Sequence, residues 1–302
     1  MKEEVIKKLQ SVAIGEKKES YTAIHSGARQ EEEQIEFLST GVPDLDADLG
    51  GGIPVGRFIE IFGLPSSAKS GLAYHILANA QRKGGIAILI DTEDSYVPEW
   101  AAKNGIDVDE LQVATAPSLE KLGALVDQVI NVCLQHPDTL SVIVIDSLSA
   151  PPSEEELDLK TEELNKQVAI RARVITKLIQ RWVAKLNRFK LERGRHRVTI
   201  IAVNHAKQQI GGHGFTTPGG FALKYFSAVR IMLQQKGRRG KSGIYVKARV
   251  VKNKIAPPYG EAEFAYLFDG QIVPINRKKS SADEQAELMD EDIEEEEVIG
   301  AF

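Results

Sequence analysis

Three stretches of the chain are apolar almost throughout: residues 86–90, 142–145 and 198–203, the last with one threonine. Runs of four to six such residues, rich in Ile and Val, predict strands buried on both faces, as in a parallel sheet. Each run ends in polar residues: Asp91-Thr92-Glu93, Asp146-Ser147 and Asn204-His205. A fourth strand is expected over 58–62, followed by the small-residue loop 63–68 and a helical pattern over 72–82. Residues 168–189 predict a long helix, with Ala172, Ile175, Ile179, Trp182 and Leu186 inward and Arg171, Arg173, Lys177, Arg181, Lys185 and Arg188 outward. That basic face reads equally as a solvated surface or as one turned toward DNA. Further strands are expected over 228–233, 244–252 and 262–268, the first two joined by the glycine-rich, basic segment 236–241. Strands alternating with helices predict an α/β fold with a largely parallel central sheet flanked by helices.

The ends of the chain differ from its middle. Val5, Ile6, Leu9 and Val12 give a short apolar face at helical spacing, too short a helix to stand alone in water. Residues 20–24 are strand-like and suit an edge element. Three parts are expected: an N-terminal oligomerisation segment, 1–35; a core, 36–275; and an acidic tail, 276–302, with the composition of a disordered segment. From residue 283 to 302 there are ten acidic residues and no basic ones. The remaining 33 acidic residues stand against 38 basic ones, so the formal charge of −5 becomes +5 without the tail. A mildly basic body is a weak pointer to a polyanionic partner. No apolar run is long enough to span a membrane, and the start lacks a signal-peptide apolar region, so no membrane partner is expected. The single cysteine, Cys133, allows no intramolecular disulfide and reads as a core residue.

The strongest local signal is Gly63-Leu64-Pro65-Ser66-Ser67-Ala68-Lys69-Ser70-Gly71. A strand, a small-residue loop ending in Lys-Ser and a following helix form the layout of a phosphate-binding loop. Loop N–H groups and the helix N-terminus attract a phosphate, Lys69 neutralises its charge, and Ser70 offers a hydroxyl to Mg²⁺. Ala68 departs from the pattern, which places glycine there; if that position needs a positive φ, its Cβ costs about 1 kcal/mol. A serine-rich turn without a ligand is the bland alternative. In open parallel sheets ligands sit beyond the carboxyl ends of the strands, where all these polar endings gather.

These residues carry a resemblance. The chain resembles the RecA recombinases over nearly the whole of 36–275. The resemblance rests on Leu38-Ser39-Thr40-Gly41 with Leu45-Asp46 and Gly56-Arg57, on the phosphate loop and on Asp91-Thr92-Glu93. The stretches 221–226 (FALKYF) and 250–258 (VVKNKIAPP) carry it most specifically. It implies a DNA-dependent ATPase, with ATP and Mg²⁺ as cofactors, that forms filaments on single-stranded DNA, pairs double-stranded DNA and exchanges strands, and resides in the bacterial cytoplasm, or in the host cytoplasm if phage-encoded. Implied partners are further copies of the chain, with ATP at each interface, and single-strand-binding or mediator proteins. Ala68, together with His205 where cellular members have glutamine and a chain that stops soon after the core, leans toward a phage, UvsX-like type.

The resemblance implies roles residue by residue. Gly63, Ser66, Ser67, Ala68, Lys69, Ser70 and Gly71 hold phosphate. Asp146 orients Mg²⁺, Glu93 polarises the attacking water and His205 senses the γ-phosphate. Trp100 stacks on adenine, although a half-buried core tryptophan is an equal alternative. Lys252 and Lys254 reach a neighbour's ATP. The two DNA loops map to about 151–167 and 207–218, with Lys166, Arg173, Lys207, Gly211, Gly212 and Phe215 as candidate contacts. The first loop holds six acidic residues, which repel phosphates. A RecA-like regulatory or mediator ATPase without strand exchange, and a RecA-fold helicase, are the rival readings.

Overall fold

The computed structural model describes residues 13–14, 22–23, 35–158, 167–208, 215–219 and 221–275. The expected N-terminal helical face, the acidic tail, Lys166, Gly211 and Gly212 lie outside the described residues. Two short strands, β1 (Ala13–Ile14) and β2 (Thr22–Ala23), pair antiparallel. A second small ladder joins β3 (Phe37–Leu38) to β4 (Ile53–Pro54) around helix α1 (Pro43–Leu49).

The main body is a nine-stranded sheet. Its parallel strands are β5 (Phe58–Gly63), β6 (Ile86–Asp91), β7 (Gln112–Thr115), β8 (Ser141–Asp146), β9 (Val198–His205) and β12 (Val229–Arg239). Between β9 and β12 lies a short ladder of β10 (Lys207–Gln208) and β11 (Phe215–Thr216). Beyond β12 the sheet continues antiparallel through β13 (Gly243–Asn253), β14 (Glu261–Leu267) and β15 (Ile272–Pro274). The strand order is β15-β14-β13-β12-β5-β9-β8-β6-β7. The α/β architecture with a mostly parallel sheet agrees with the sequence pattern.

Both faces of the sheet are covered, which is why its central strands read as nearly continuous apolar runs. Successive side chains point to opposite faces. Ile61, Leu89, Val142 and Val144 pack with helix α2 (Lys69–Arg82). Ile90, Ile143, Ile145 and Ile200 pack with α4 (Leu119–Gln135) and α6 (Gln167–Arg193) on the other side. Helix α4 goes beyond the elements expected from the pattern; Ser118 caps it by accepting from the Lys121 N–H. The small helices α3 (Pro98–Lys103), α5 (Glu154–Leu157) and α7 (Phe221–Phe226) complete the body.

Two expectations need correction. The basic segment 236–241 is not a loop between strands: β12 runs on through Arg239, paired with β13, with a register shift between Gln235 and Gly237. A bulge lets the strand keep pairing past a glycine that weakens its propensity. The second expected loop, 207–218, is also not loop throughout, because its flanks pair as β10 and β11, with Lys207 opposite Thr216 and Phe215 opposite Gln208.

Candidate nucleotide-binding site

Strand β5 delivers the loop. Gly63 stands opposite Leu233 of β12 in the parallel register, and a Cβ there would lie 2.2 Å from the Leu233 carbonyl oxygen. Only glycine fits. The chain then turns through Ser66 (φ 59°) and Ala68 (φ 62°), both in the left-handed region, before α2 begins at Lys69. Ala68 thus occupies the conformation in which its Cβ carries a penalty of about 1 kcal/mol. Ser67 Oγ and Lys69 Nζ each donate to the Leu64 carbonyl at 2.8 Å, which fastens the loop on itself. Lys69 is only 6% exposed; burial holds its ammonium below the ordinary lysine range, while Asp146 and Glu93 pull it back up.

Three strand ends gather polar side chains above this loop. Asp91, Asp146 and Val203 stand side by side in the registers of β6, β8 and β9. Asp91 does not face the loop. Its oxygens accept from the N–H groups of Glu93 (3.1 Å), Ser95 (2.8 Å) and Tyr96 (2.8 Å), so it moulds the turn that presents Glu93. Glu93 Oε1 accepts from Ser147 Oγ at 2.5 Å and from His205 Nε2 at 2.9 Å. Burial pushes the Glu93 carboxyl up, but the hydrogen bonds from Ser147 and His205 outweigh it and hold the group below its ordinary value. Asp146 is pushed up to about 6 by burial, against a hydrogen bond from Ser70 that lowers it, with Glu93 adding to the rise.

A cavity of about 600 Å³ opens over the loop. Ser66, Ser67, Ala68, Lys69, Ser70 and Gly71 form its floor, and Glu93, Asp146, His205 and Trp100 stand around it. Its far wall comes from Gln235 and Arg238 of β12, Ile244 of β13, Tyr266 of β14 and Phe268 just past it. Tyr266 is buried, its ring lies edge-on to Trp100 with centroids 6.3 Å apart, and its hydroxyl donates to Asn104 Oδ1 at 2.8 Å. A Cβ on Gly71 would come within 2.4 Å of that ring, so Gly71 admits Tyr266 to the first turn of α2.

The remaining candidates lie elsewhere. Lys252 Nζ donates to the carbonyls of Lys224 and Tyr225, and Lys254 Nζ donates to that of Tyr225 at 3.2 Å. Both lysines therefore cap the C-terminal end of α7, beside the exposed rings of Phe221 and Tyr225 and away from the cavity. Burial, with Lys254 and Arg230 nearby, lowers Lys252 to about 8. Arg173 pairs with Glu155, Arg171 with Glu156, Arg181 and Lys185 with Asp127, and Arg188 with Glu192. The basic face of α6 is thus largely neutralised within the chain, as a solvated face would be. Exposed pairs of this kind contribute little and exchange readily.

A divalent cation fits this site in part. Asp146 is a buried carboxylate, 7% exposed, whose raised affinity for a proton marks unmet negative charge, and Ser70 lies against it. Among the described residues no group of three or more His, Cys, Asp or Glu could by itself hold a metal. Remaining ligands would therefore come from phosphate oxygens and water, as Mg²⁺ prefers.

The fold and loop define an α/β protein of the phosphate-loop, mononucleotide-binding class. The profile of the RecA N-terminal domain matches residues 7–273. The chain is 37% identical over 250 residues to Protein RecA of Aquifex pyrophilus, covering 80% of this chain and 68% of that one. It is 37% identical over 246 residues to Protein RecA of Aquifex aeolicus (79% and 67%), and 38% over 244 residues to that of Arthrobacter sp. (78% and 65%). The chain belongs to the RecA family and is a recombination protein of the RecA type.

Proposed function

We propose that this chain is a DNA-dependent ATPase that polymerises on single-stranded DNA and catalyses homologous pairing and strand exchange, with ATP between subunits. One observation carries the reading: Glu93, held by Ser147 and His205, stands across one cavity from Lys69, Ser70 and Asp146. A carboxylate kept ionised beside a phosphate loop is suited to accept a proton from, or polarise, an attacking water.

The roles follow from position. Lys69 and the loop N–H groups from Ser66 to Gly71 bind the phosphates, over Gly63 as the hinge. Ser70 and Asp146 would hold Mg²⁺, which supplies charge neutralisation on the β- and γ-phosphates. His205, bonded to Glu93, is placed to exchange that partner for a γ-phosphate oxygen. Trp100 and Tyr266 form an aromatic wall suited to a base. Lys252 and Lys254, outside the cavity and on the α7 surface, fit a role toward a neighbour's nucleotide. For DNA we propose Lys207 and Phe215 on the β10–β11 ladder, with Gly211 and Gly212 between them in sequence, and, at the start of α6, Lys166 and Arg173 once the latter is released from Glu155. Residues 1–35 would serve assembly, 36–275 the chemistry and 276–302 as an acidic tail near the DNA. A phage, UvsX-like subtype is the finer reading, resting on the residue types alone: Ala68 in the loop and the Asn204-His205 pair at the end of β9. A cytoplasmic site of action fits DNA as substrate; among the described residues no helix is long and apolar enough to cross a membrane. Single-strand-binding or mediator proteins are natural partners of such a filament.

The test is ATP turnover with and without single-stranded DNA, alongside nucleotide-dependent sedimentation. The reading expects DNA to stimulate turnover and ATP to promote assembly. Turnover indifferent to DNA would favour the regulatory-ATPase alternative.

A further inference from the structure

One charged side chain of the cavity has no part in the roles above. Arg238 of β12 stands exposed on the far wall, and among the described residues it makes no ion pair. Basic residues nearby are matched: Arg230 on the same strand pairs with Glu60, and Lys247 and Arg249 on β13 pair with Glu261. The aim of Arg238 comes from the bulge in β12. Side chains alternate along a strand, so Gln235 and Arg238, three positions apart, would face opposite ways on a regular strand. The register shift between Gln235 and Gly237 adds one residue, and both side chains line the cavity. Arg238 then stands opposite Ile244 of β13, and Ile244 opposite Tyr266 of β14, which puts all three in one row on the cavity face. Arg239, the next residue, does not line the cavity.

Strand order fixes what lies on either side of it. Tyr266 on β14 belongs to the aromatic wall, and β5 leads into the phosphate loop. Strand β12 runs between them, with β13 on its wall side. A nucleotide laid from the wall to the loop therefore passes Arg238. The charge in the cavity also calls for a second cation. Among the described residues, Lys69 and Arg238 are the only lysine or arginine that line it, against Glu93 and Asp146. Lys69 is buried and donates to the Leu64 carbonyl. A triphosphate adds more negative charge than one such lysine offsets. A guanidinium presents a planar fork of N–H donors that matches two phosphate oxygens, and it stays ionised at any working pH.

We propose that Arg238 is a phosphate-binding residue of this chain's own nucleotide site, holding the phosphate chain from the wall across from the phosphate loop and acting within one subunit. The inference rests on the nucleotide reading given above. The first test measures ATP affinity of dilute full-length protein, below the concentration at which it assembles, for the parent, Arg238→Gln, Arg239→Gln and Lys69→Ala. Arg238→Gln should weaken ATP about tenfold or more, as expected for a lost hydrogen bond to a charged group, and make the affinity less dependent on salt. Arg239→Gln removes the same charge outside the cavity and should stay within about twofold of the parent. Parental affinity in Arg238→Gln, or equal losses in both glutamine variants, would overturn the phosphate contact. So would a loss with unchanged salt dependence, which marks a disturbed wall. The second test uses the unaltered protein, in case the variant does not fold. Phenylglyoxal modification, read residue by residue by mass spectrometry, should slow at Arg238 when ATP is added and not at Arg239. An equal rate at Arg238 with and without ATP would overturn the contact. ATP affinity retained in Lys69→Ala would overturn the nucleotide reading, and this inference with it; affinity lost there but kept in Arg238→Gln would overturn this inference alone.

Discussion

His205 Nε2 lies 2.9 Å from Glu93 Oε1, and the two residues come from different strand ends 112 positions apart. Strand β9 carries the histidine two strands away from β6, whose following turn carries the glutamate. The pair ties the group suited to polarise water to the group placed to meet the γ-phosphate. A ligand that recruits His205 would leave Glu93 Oε1 with Ser147 as its remaining donor.

Glu93→Gln keeps the size and the hydrogen bond from Ser147 but removes the base. Turnover of ATP should fall by about 10²-fold or more while ATP affinity is retained. Steady-state hydrolysis and nucleotide titration check this. Hydrolysis at the parental rate would remove Glu93 from the role.

Asp146→Asn should make the protein more stable at neutral pH while abolishing Mg²⁺-dependent turnover. The folded-state pKa of Asp146, about 6, lies above its ordinary 3.8. The folded state therefore binds the proton more tightly, and stability attributable to this group is lost as pH rises from about 4 to 6. Asparagine does not carry that cost, so the gain at pH 8 should approach about 2 to 3 kcal/mol and vanish below pH 4. Urea unfolding at the two pH values decides it. A variant less stable than the parent at pH 8 would contradict the argument.

Gly71→Ala should destabilise by about 1 to 3 kcal/mol, because its Cβ meets the Tyr266 ring at 2.4 Å. Tyr266→Leu, which removes the ring, should relieve most of that loss in the double variant. A double-mutant cycle by denaturant unfolding measures the coupling. Additive losses would mean that the ring simply moves aside.

The joint variant Lys252→Ala, Lys254→Ala should bind ATP as the parent does, since neither lysine lines the cavity. DNA-stimulated hydrolysis should fall by about tenfold or more, if each completes a neighbour's site. Hydrolysis measured across protein concentration is the check. Normal cooperative turnover would leave these lysines only their bonds to α7.

Much of this site could be read from sequence because it is local. The loop 63–71 and the polar ends of β6, β8 and β9 each directly follow a nearly continuous apolar run. The antiparallel wall was not legible. Tyr266, Phe268 and Arg238 reach the cavity only because β12 to β14 fold beside β5, a pairing over more than 160 positions that no local pattern records. Ser147 and Asp91 act through hydrogen bonds to a turn, and their residue types fit an ordinary strand end equally well. Glu60 and Arg230, an ion pair within the sheet, did leave a signal: each is the one charged residue in an otherwise apolar run, 58–62 and 228–233, and so demands a buried partner. The basic face of α6 showed the opposite failing, since its charges were visible but their partners, Glu155, Glu156 and Asp127, lie on other elements.

The most direct test of the central claim is strand exchange itself. Homologous single-stranded and duplex DNA, one strand carrying a fluorescent label, are mixed with the full-length protein and Mg²⁺, with and without ATP. The account predicts transfer of the labelled strand that requires ATP and homology and is lost in Lys69→Ala. ATP hydrolysis stimulated by DNA but without any strand transfer would contradict it.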